Sequence, residues 1–210
     1  WGCSFIICPW YIYQWYGDKR LIIEHYPAMK RYLEYLGTRA NNHIIAYGLG
    51  DWFDIGPKSP GYAQLTSNGV TATAIYYYNT MVLKEMAKLL GKEDDEKSFA
   101  TLADNIKKAY NDAFFHPGDG TYDRNSQTAS AISLYMDLVA PENKIRVLDN
   151  LVKDIIGRGN ALTAGDVGYR YVLRALESNG KSDLIFKMNS KYDVPGYGWQ
   201  LAHGATALTE

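Results

Sequence analysis

Apolar residues recur at three- and four-residue spacings along most of the chain, and strict alternation with polar residues is scarce. This period is typical of amphipathic α-helices and predicts an all-α fold. Glycine and proline mark the helix ends, and Pro27 predicts a kink or break near Tyr26. The predicted helices span residues 4–16, 18–36, 70–90, 98–115, 127–138, 142–156, 169–177 and 182–190, with a ninth starting at 205–210.

The connections between these helices alternate in length. Short links join the two helices of a pair, whereas long segments rich in glycine, at 37–68, 157–168 and 192–204, join successive pairs. Antiparallel helical hairpins stacked around an axis place all their long connections at one end. The pattern therefore predicts an α/α toroid of the six-hairpin type. Because eight or nine helices supply about four hairpins, we expect residues 1–210 to form a partial toroid domain that lacks N-terminal and C-terminal hairpins.

Composition narrows the classes of partner. A formal net charge of −1 gives no electrostatic reason to expect nucleic acid or an anionic membrane as partner. The apolar runs are too short to span a bilayer, and the two cysteines lie near no His or Asp cluster that would complete a metal site. The two cysteines therefore do not indicate a cellular compartment. Tyrosine is abundant, with 18 residues, and its combination of an apolar face with a hydroxyl suits sugar binding.

The segment GLGDWFDIGP at residues 48–57 places two carboxylates and two aromatic rings in a loop. Carboxylates beside aromatic residues, without a serine–histidine or cysteine–histidine pairing, favour glycoside chemistry, which uses one carboxyl as acid and another as base or nucleophile. Asp54 is expected to be a turn carboxylate. The candidates at the long-loop end are Trp1, Asp51, Trp52, Asp54, Asp119, Tyr122, Asp123, Asp166, Tyr192, Asp193, Trp199, His203 and Glu210.

A series of short motifs, in order along the chain, resembles the middle hairpins of bacterial alpha-L-rhamnosidases. The resemblance covers essentially the whole chain. Its motifs are Trp1-Gly2, Pro9-Trp10, Tyr13-Gln14, Tyr16-Gly17-Asp18, the His25–Lys30 segment, Gly48-Leu-Gly-Asp-Trp52, Tyr76-Tyr77-Tyr78, Leu89-Leu90-Gly91, Ser126-Gln127-Thr128-Ala129, the Asn179–Asp183 segment and Gly204-Ala205-Thr206 through Glu210.

The resemblance implies a six-hairpin toroid that removes terminal alpha-L-rhamnose from glycosides or oligosaccharides with inversion and without a metal or other cofactor. It implies that Glu210 is the general base. Asp51 and Trp52 match the loop that lines the rhamnose pocket, with Asp51 facing the sugar hydroxyls. Trp1 matches a tryptophan that borders the site. Trp199 falls near another such tryptophan, and His203 is a pocket neighbour.

The chain departs from the family in its general acid. The resemblance places this acid in an Arg-Asp-Glu-type motif upstream of the Trp1-Gly2 segment, and residues 1–210 contain no such motif. We therefore expect this chain to be a rhamnosidase fragment that is nearly inactive alone. Its exposed apolar hairpin flanks predict that the isolated chain associates with itself or is marginally stable. Two alternatives stay open. One is a carbohydrate-binding or scaffold helical module without activity, and the other is a different α/α-toroid carbohydrate enzyme, such as an epimerase.

Overall fold

The computed structural model describes residues 2–207, and this part of the chain is mainly helical. The helices are α1 (Ser4–Tyr16), α2 (Arg20–Arg39), α3 (Asn68–Leu89), α4 (Glu93–Phe114), α5 (Gln127–Tyr135), α6 (Lys144–Gly157), α7 (Gly168–Ser178), α8 (Ser182–Ser190) and α9 (Tyr197–Ala202), with a 3₁₀ turn at Pro141–Asn143. A two-residue antiparallel pair, β1 (Phe115–His116) and β2 (Thr121–Tyr122), closes the turn after α4. Eight of the helices overlap their predicted ranges.

Two features of the helices differ from the prediction. Of the kink or break expected near Tyr26, the break does not occur, and α2 continues through Pro27 to Arg39. A short helix, α9 at Tyr197–Ala202, lies inside the predicted loop at 192–204, while residues 205–207 are not helical and residues 208–210 of the predicted ninth helix lie outside the described residues. Gly196 and Gly204 explain that position, since both have positive φ (158° and 86°) and so bound the short helix on either side.

The described chain folds into two compact units. The first comprises the residues up to Ala46 together with Ala72–Asp112. Its core contains the fully buried side chains Ile6, Ile22, Met29, Leu83, Met86 and Ile106. A polar cluster joins α2 to α4 within this unit. The Tyr26 hydroxyl donates to Asp95 (3.0 Å), and the Lys30 ammonium donates to the other oxygen of the same carboxylate (2.5 Å).

The second unit comprises Tyr47–Thr71 and the residues from Ala113 onward. Helix α5 packs against α6 and α7, and α7 against α8. Its apolar core consists of Ala131, Leu151, Ile155, Ala164, Val172, Ala175, Leu176, Leu184 and Met188. The long irregular segments of this unit, residues 47–67, 158–167 and 191–196, carry six of the thirteen candidate residues.

Candidate active site

Three long loops of the second unit meet, as the alternation of short and long links predicts. We name residues 47–67 the tryptophan loop and residues 158–167 the glycine loop. The Ile55 N–H donates to the Thr163 carbonyl (2.9 Å), and the Asp166 N–H donates to the Trp52 carbonyl (2.9 Å). The glycine loop also reaches the segment before α9, through a Leu162 N–H bond to the Pro195 carbonyl (3.1 Å).

Asp51 lies at the centre of this contact and is fully buried. Its Oδ2 accepts hydrogen bonds from the Thr128 hydroxyl and from the Gly165 N–H (3.0 Å), while its Oδ1 accepts from the Gly168 N–H (2.7 Å). Gly168 is the first residue of α7, so the carboxylate sits where the helix dipole favours negative charge. Burial raises the pKa of Asp51, and the three donated hydrogen bonds oppose that rise.

The indole of Trp52 is partly buried and packs edge-on against two aromatic rings. Its centroid lies 5.5 Å from that of Phe53 and 5.0 Å from that of Tyr62, with interplanar angles of 81° and 77°. Tyr62 is 75% exposed, so this cluster borders solvent. Phe53 has φ of 58°, a strained conformation for a bulky residue, and its N–H donates to the Gly61 carbonyl (2.8 Å).

Asp54 is the turn carboxylate that the sequence predicts. It is 3% exposed and accepts the N–H groups of Gln64 (2.9 Å) and Leu65 (2.6 Å), which belong to the same loop. These bonds close the segment between residues 54 and 65 of the tryptophan loop. They leave Asp54 with a local structural role.

Trp199 and His203 form a pair of their own at α9. Their rings stack with centroids 4.0 Å apart and planes inclined by 22°, and the His203 Nδ1 lies 2.8 Å from the Trp199 carbonyl oxygen. Trp199 is 43% exposed. The structure thus brings Asp51 and Trp52 into one assembly and Trp199 and His203 into another. Trp1 and Glu210 lie outside the described residues.

The first residues of α5 contribute to the site in a way that sequence reasoning missed. Ser126 caps the helix by accepting the Ala129 N–H (3.0 Å), and its hydroxyl bonds that of Thr66 in the tryptophan loop (2.6 Å). Gln127 accepts the Thr163 N–H (3.0 Å) and donates to the Ala161 carbonyl (3.1 Å), both in the glycine loop. The Thr128 hydroxyl reaches Asp51. Ser126 is a residue type that favours a helix N-cap, so the cap is predictable from the local sequence. The bonds from these residues to the two loops are not, because the partners are distant in sequence.

Metal binding and membrane insertion are two further possibilities for residues 2–207. Within that range, no three His, Cys, Asp or Glu side chains are grouped so as to hold a metal ion. None of the helices described there combines the length and hydropathy that a membrane span needs.

Helical hairpins whose connecting loops lie together and carry aromatic side chains are typical of helical glycosidase domains. Comparison with known families makes the assignment specific. The whole chain, residues 1–210, matches the bacterial alpha-L-rhamnosidase 6 hairpin glycosidase domain, and the chain belongs to this family. The predicted all-α, six-hairpin fold is thereby confirmed, and so is the resemblance on which the site residues were assigned.

Individual relatives agree with the family. An alpha-L-rhamnosidase from Formosa agariphila is 26% identical over the whole of this chain, and one from Streptomyces avermitilis is 28% identical. The solved alpha-L-rhamnosidase from Dictyoglumus thermophilum superposes with a TM-score of 0.93 at 35% identity over 99% of this chain. The Streptomyces avermitilis enzyme, solved in complex with L-rhamnose, superposes with a TM-score of 0.89 at 27% identity over 99% of this chain.

These matches cover only part of each relative. This chain spans 23% of the Formosa agariphila protein and 20% of the Streptomyces avermitilis protein. It spans 24% of the solved Dictyoglumus thermophilum chain and 19% of the solved Streptomyces avermitilis chain. The activity of a complete protein is therefore a matter for proposal.

Proposed function

We propose that this chain is part of a catalytic domain that hydrolyses terminal alpha-L-rhamnose from glycosides or oligosaccharides with inversion. The observation that carries the proposal is the match of the whole chain to the rhamnosidase domain family, with a TM-score of 0.93 to one solved rhamnosidase. The loop assembly around Trp52 supports it, since an exposed aromatic cluster beside a rigid loop offers a face on which a sugar ring can stack. Residues 1–210 would be a partial toroid within that domain.

In this proposal Glu210 is the general base that activates water, and a carboxylic acid from outside this chain protonates the leaving oxygen. An inverting enzyme keeps its two carboxyl groups roughly 6.5–9.5 Å apart so that a water molecule fits between the base and the sugar. Trp52 provides the stacking face, Trp1 borders the pocket, and Trp199 with His203 forms a second aromatic wall. No cofactor is required by this chemistry.

The test uses the full-length protein and an aryl alpha-L-rhamnoside. We expect wild type to release beta-L-rhamnose first, as seen by NMR of the anomeric proton, because inversion exchanges the anomer. Glu210→Gln should abolish turnover while rhamnose still binds, and Trp52→Ala should mainly raise KM. Asp54→Asn serves as the comparison for a buried loop carboxylate.

Three results would contradict the proposal. Unchanged turnover in Glu210→Gln would remove Glu210 from the base role. Rhamnose binding without turnover in the wild-type protein would favour a carbohydrate-binding or scaffold module. Turnover of another sugar with no turnover of rhamnosides would favour a different toroid enzyme.

We further propose that the isolated chain associates with itself through apolar side chains. Trp15 and Tyr16 at the end of α1 and Phe186 on α8 are largely exposed, which supports this proposal. Light scattering coupled to size-exclusion chromatography should show a mass that rises with concentration. A single monomeric mass across a hundredfold concentration range would contradict it.

A further inference from the structure

The buried carboxylate of Asp51 joins three parts of the second unit that are remote in sequence. Its hydrogen-bond partners Thr128, Gly165 and Gly168 follow it by 77, 114 and 117 residues. They belong to the start of α5, the glycine loop and the start of α7. With 0% exposure, the Asp51 side chain is closed to solvent by these neighbours. A sugar bound at this site would therefore contact the residues around Asp51 and not the Asp51 carboxylate itself.

We propose that Asp51 and Thr128 set the orientation of Trp52, which makes Asp51 a positioning residue for the rhamnose site. This inference rests on the proposed function only for its kinetic consequence. It is an alternative to the direct contact between Asp51 and the sugar hydroxyls that the resemblance implies.

The backbone of Trp52 is fixed on both sides. On its N-terminal side, the Asp51 carboxylate takes three hydrogen bonds, and on its C-terminal side, the Trp52 carbonyl accepts the Asp166 N–H. The chain then turns at Phe53, which has a φ of 58°, and the Asp54 N–H donates to the Asp51 carbonyl (3.2 Å). The indole itself packs against exposed Tyr62, so its orientation follows from the anchored backbone.

The groups around Asp51 are closely packed, so an added side-chain atom would not fit between them. A Cβ on Gly168 would collide with the Thr128 hydroxyl and lie 2.7 Å from the Asp51 Oδ2. An asparagine at position 51 would keep the shape but supply one acceptor oxygen in place of two. At least one of the three donors would then face an NH₂ group, which cannot accept a hydrogen bond.

The first measurement follows the Trp52 indole N–H directly, by nitrogen-15 NMR of this chain. Trp52→Phe assigns the signal. Thr128→Val removes the hydroxyl at nearly constant volume, and Thr128→Ser restores it. Ser133→Ala is the matched control, since Ser133 is a buried hydroxyl on the same helix that donates to the Ala129 carbonyl (2.7 Å).

We expect Thr128→Val and Asp51→Asn to shift or broaden the Trp52 indole signal, while Thr128→Ser and Ser133→Ala leave it in place. An unchanged signal in Thr128→Val overturns the inference. Should Thr128→Val fail to fold, Asp51→Asn carries the same test. Because this readout needs no turnover, it stands even if the proposed function fails.

The second measurement is kinetic and uses the full-length protein with an aryl rhamnoside. Thr128→Val should raise KM about fivefold or more with a smaller change in kcat, because stacking on Trp52 acts on bound substrate. In a Trp52→Ala background the same change should have no further effect. If Asp51 contacts the sugar itself, Thr128→Val leaves KM unchanged while Asp51→Asn raises it, and the inference is overturned.

Discussion

Gly165 occupies the closest approach between the glycine loop and the tryptophan loop, so Gly165→Ala tests the loop assembly directly. A Cβ at this position would lie 2.6 Å from the Asp54 nitrogen and 2.9 Å from the Asp51 carbonyl oxygen, and it would collide with the Trp52 carbonyl oxygen. Ordinary contacts of a Cβ begin at 3.4 Å. Since all these atoms are backbone, they cannot rotate away, and the two loops must separate.

Local separation at Gly165 breaks the two hydrogen bonds nearest to it. The bond from the Asp166 N–H to the Trp52 carbonyl is neutral, and the bond from the Gly165 N–H to the Asp51 carboxylate is charge-assisted. Their loss costs about 0.5–1.5 and about 1.5–3 kcal/mol respectively. The reduced freedom of alanine in the unfolded chain returns about 0.4–1 kcal/mol. We therefore expect Gly165→Ala to lower the free energy of unfolding by about 1–4 kcal/mol.

Urea unfolding of the chain, followed by far-ultraviolet circular dichroism, measures this difference. Gly157→Ala is the matched control, because no atom lies within 4 Å of the Cβ position of Gly157 at the end of α6. Alanine is the better helix former, so the control should be as stable as wild type or more stable by up to about 1 kcal/mol. Equal free energies of unfolding for the two variants would refute the close approach of the loops.

Three other substitutions test separate parts of the structure. Asp95→Asn should reduce the free energy of unfolding at neutral pH, because Lys30 holds the pKa of Asp95 below its usual value. This contribution is present above pH 3.8 and is lost as the pH falls through the folded-state pKa of Asp95. The urea midpoints of wild type and variant should therefore converge in acid. Ile106→Ala leaves a cavity in the core of the first unit and should cost about 2–5 kcal/mol in urea unfolding, and a cost below 1 kcal/mol would contradict its packing. Ser126→Ala removes the α5 cap and should lower the unfolding free energy by about 1 kcal/mol, with partial recovery in Ser126→Asp.

Helix positions were predictable from the sequence because their signals are local. Gly17 ends α1 with φ of 68° and donates to the Tyr13 carbonyl, and Gly91 ends α3 with φ of 69°. Both are the left-handed stops that a glycine after an apolar stripe indicates. The short helix α9 escaped prediction since its six residues, between two glycines, are too few to display a period.

The site was predictable only in part. The pattern of the tryptophan loop indicated a site rim at Trp52 and a turn carboxylate at Asp54, whose partners Gln64 and Leu65 are 10 and 11 residues away. The partners of Asp51 lie at least 77 residues away, beyond the reach of local patterns. Without them, an aspartate beside a tryptophan on a loop resembles a sugar ligand.

The hydrogen bonds of Asp51 explain why glycine stands at positions 165 and 168. Two of the three hydrogen bonds to Asp51, and those to Asp54, come from backbone N–H groups. Such bonds require the donor backbone to approach the carboxylate without an intervening side chain. Gly165 and Gly168 meet that requirement around Asp51, where a Cβ would collide with the opposing loop or with Thr128. Ordering these glycines costs conformational entropy. Four hydrogen bonds from three remote elements converge on Asp51 and Trp52, offset that cost and fix the Trp52 backbone. The glycines therefore belong to the machinery that positions the aromatic face, although none of them carries a side chain that a substrate could touch.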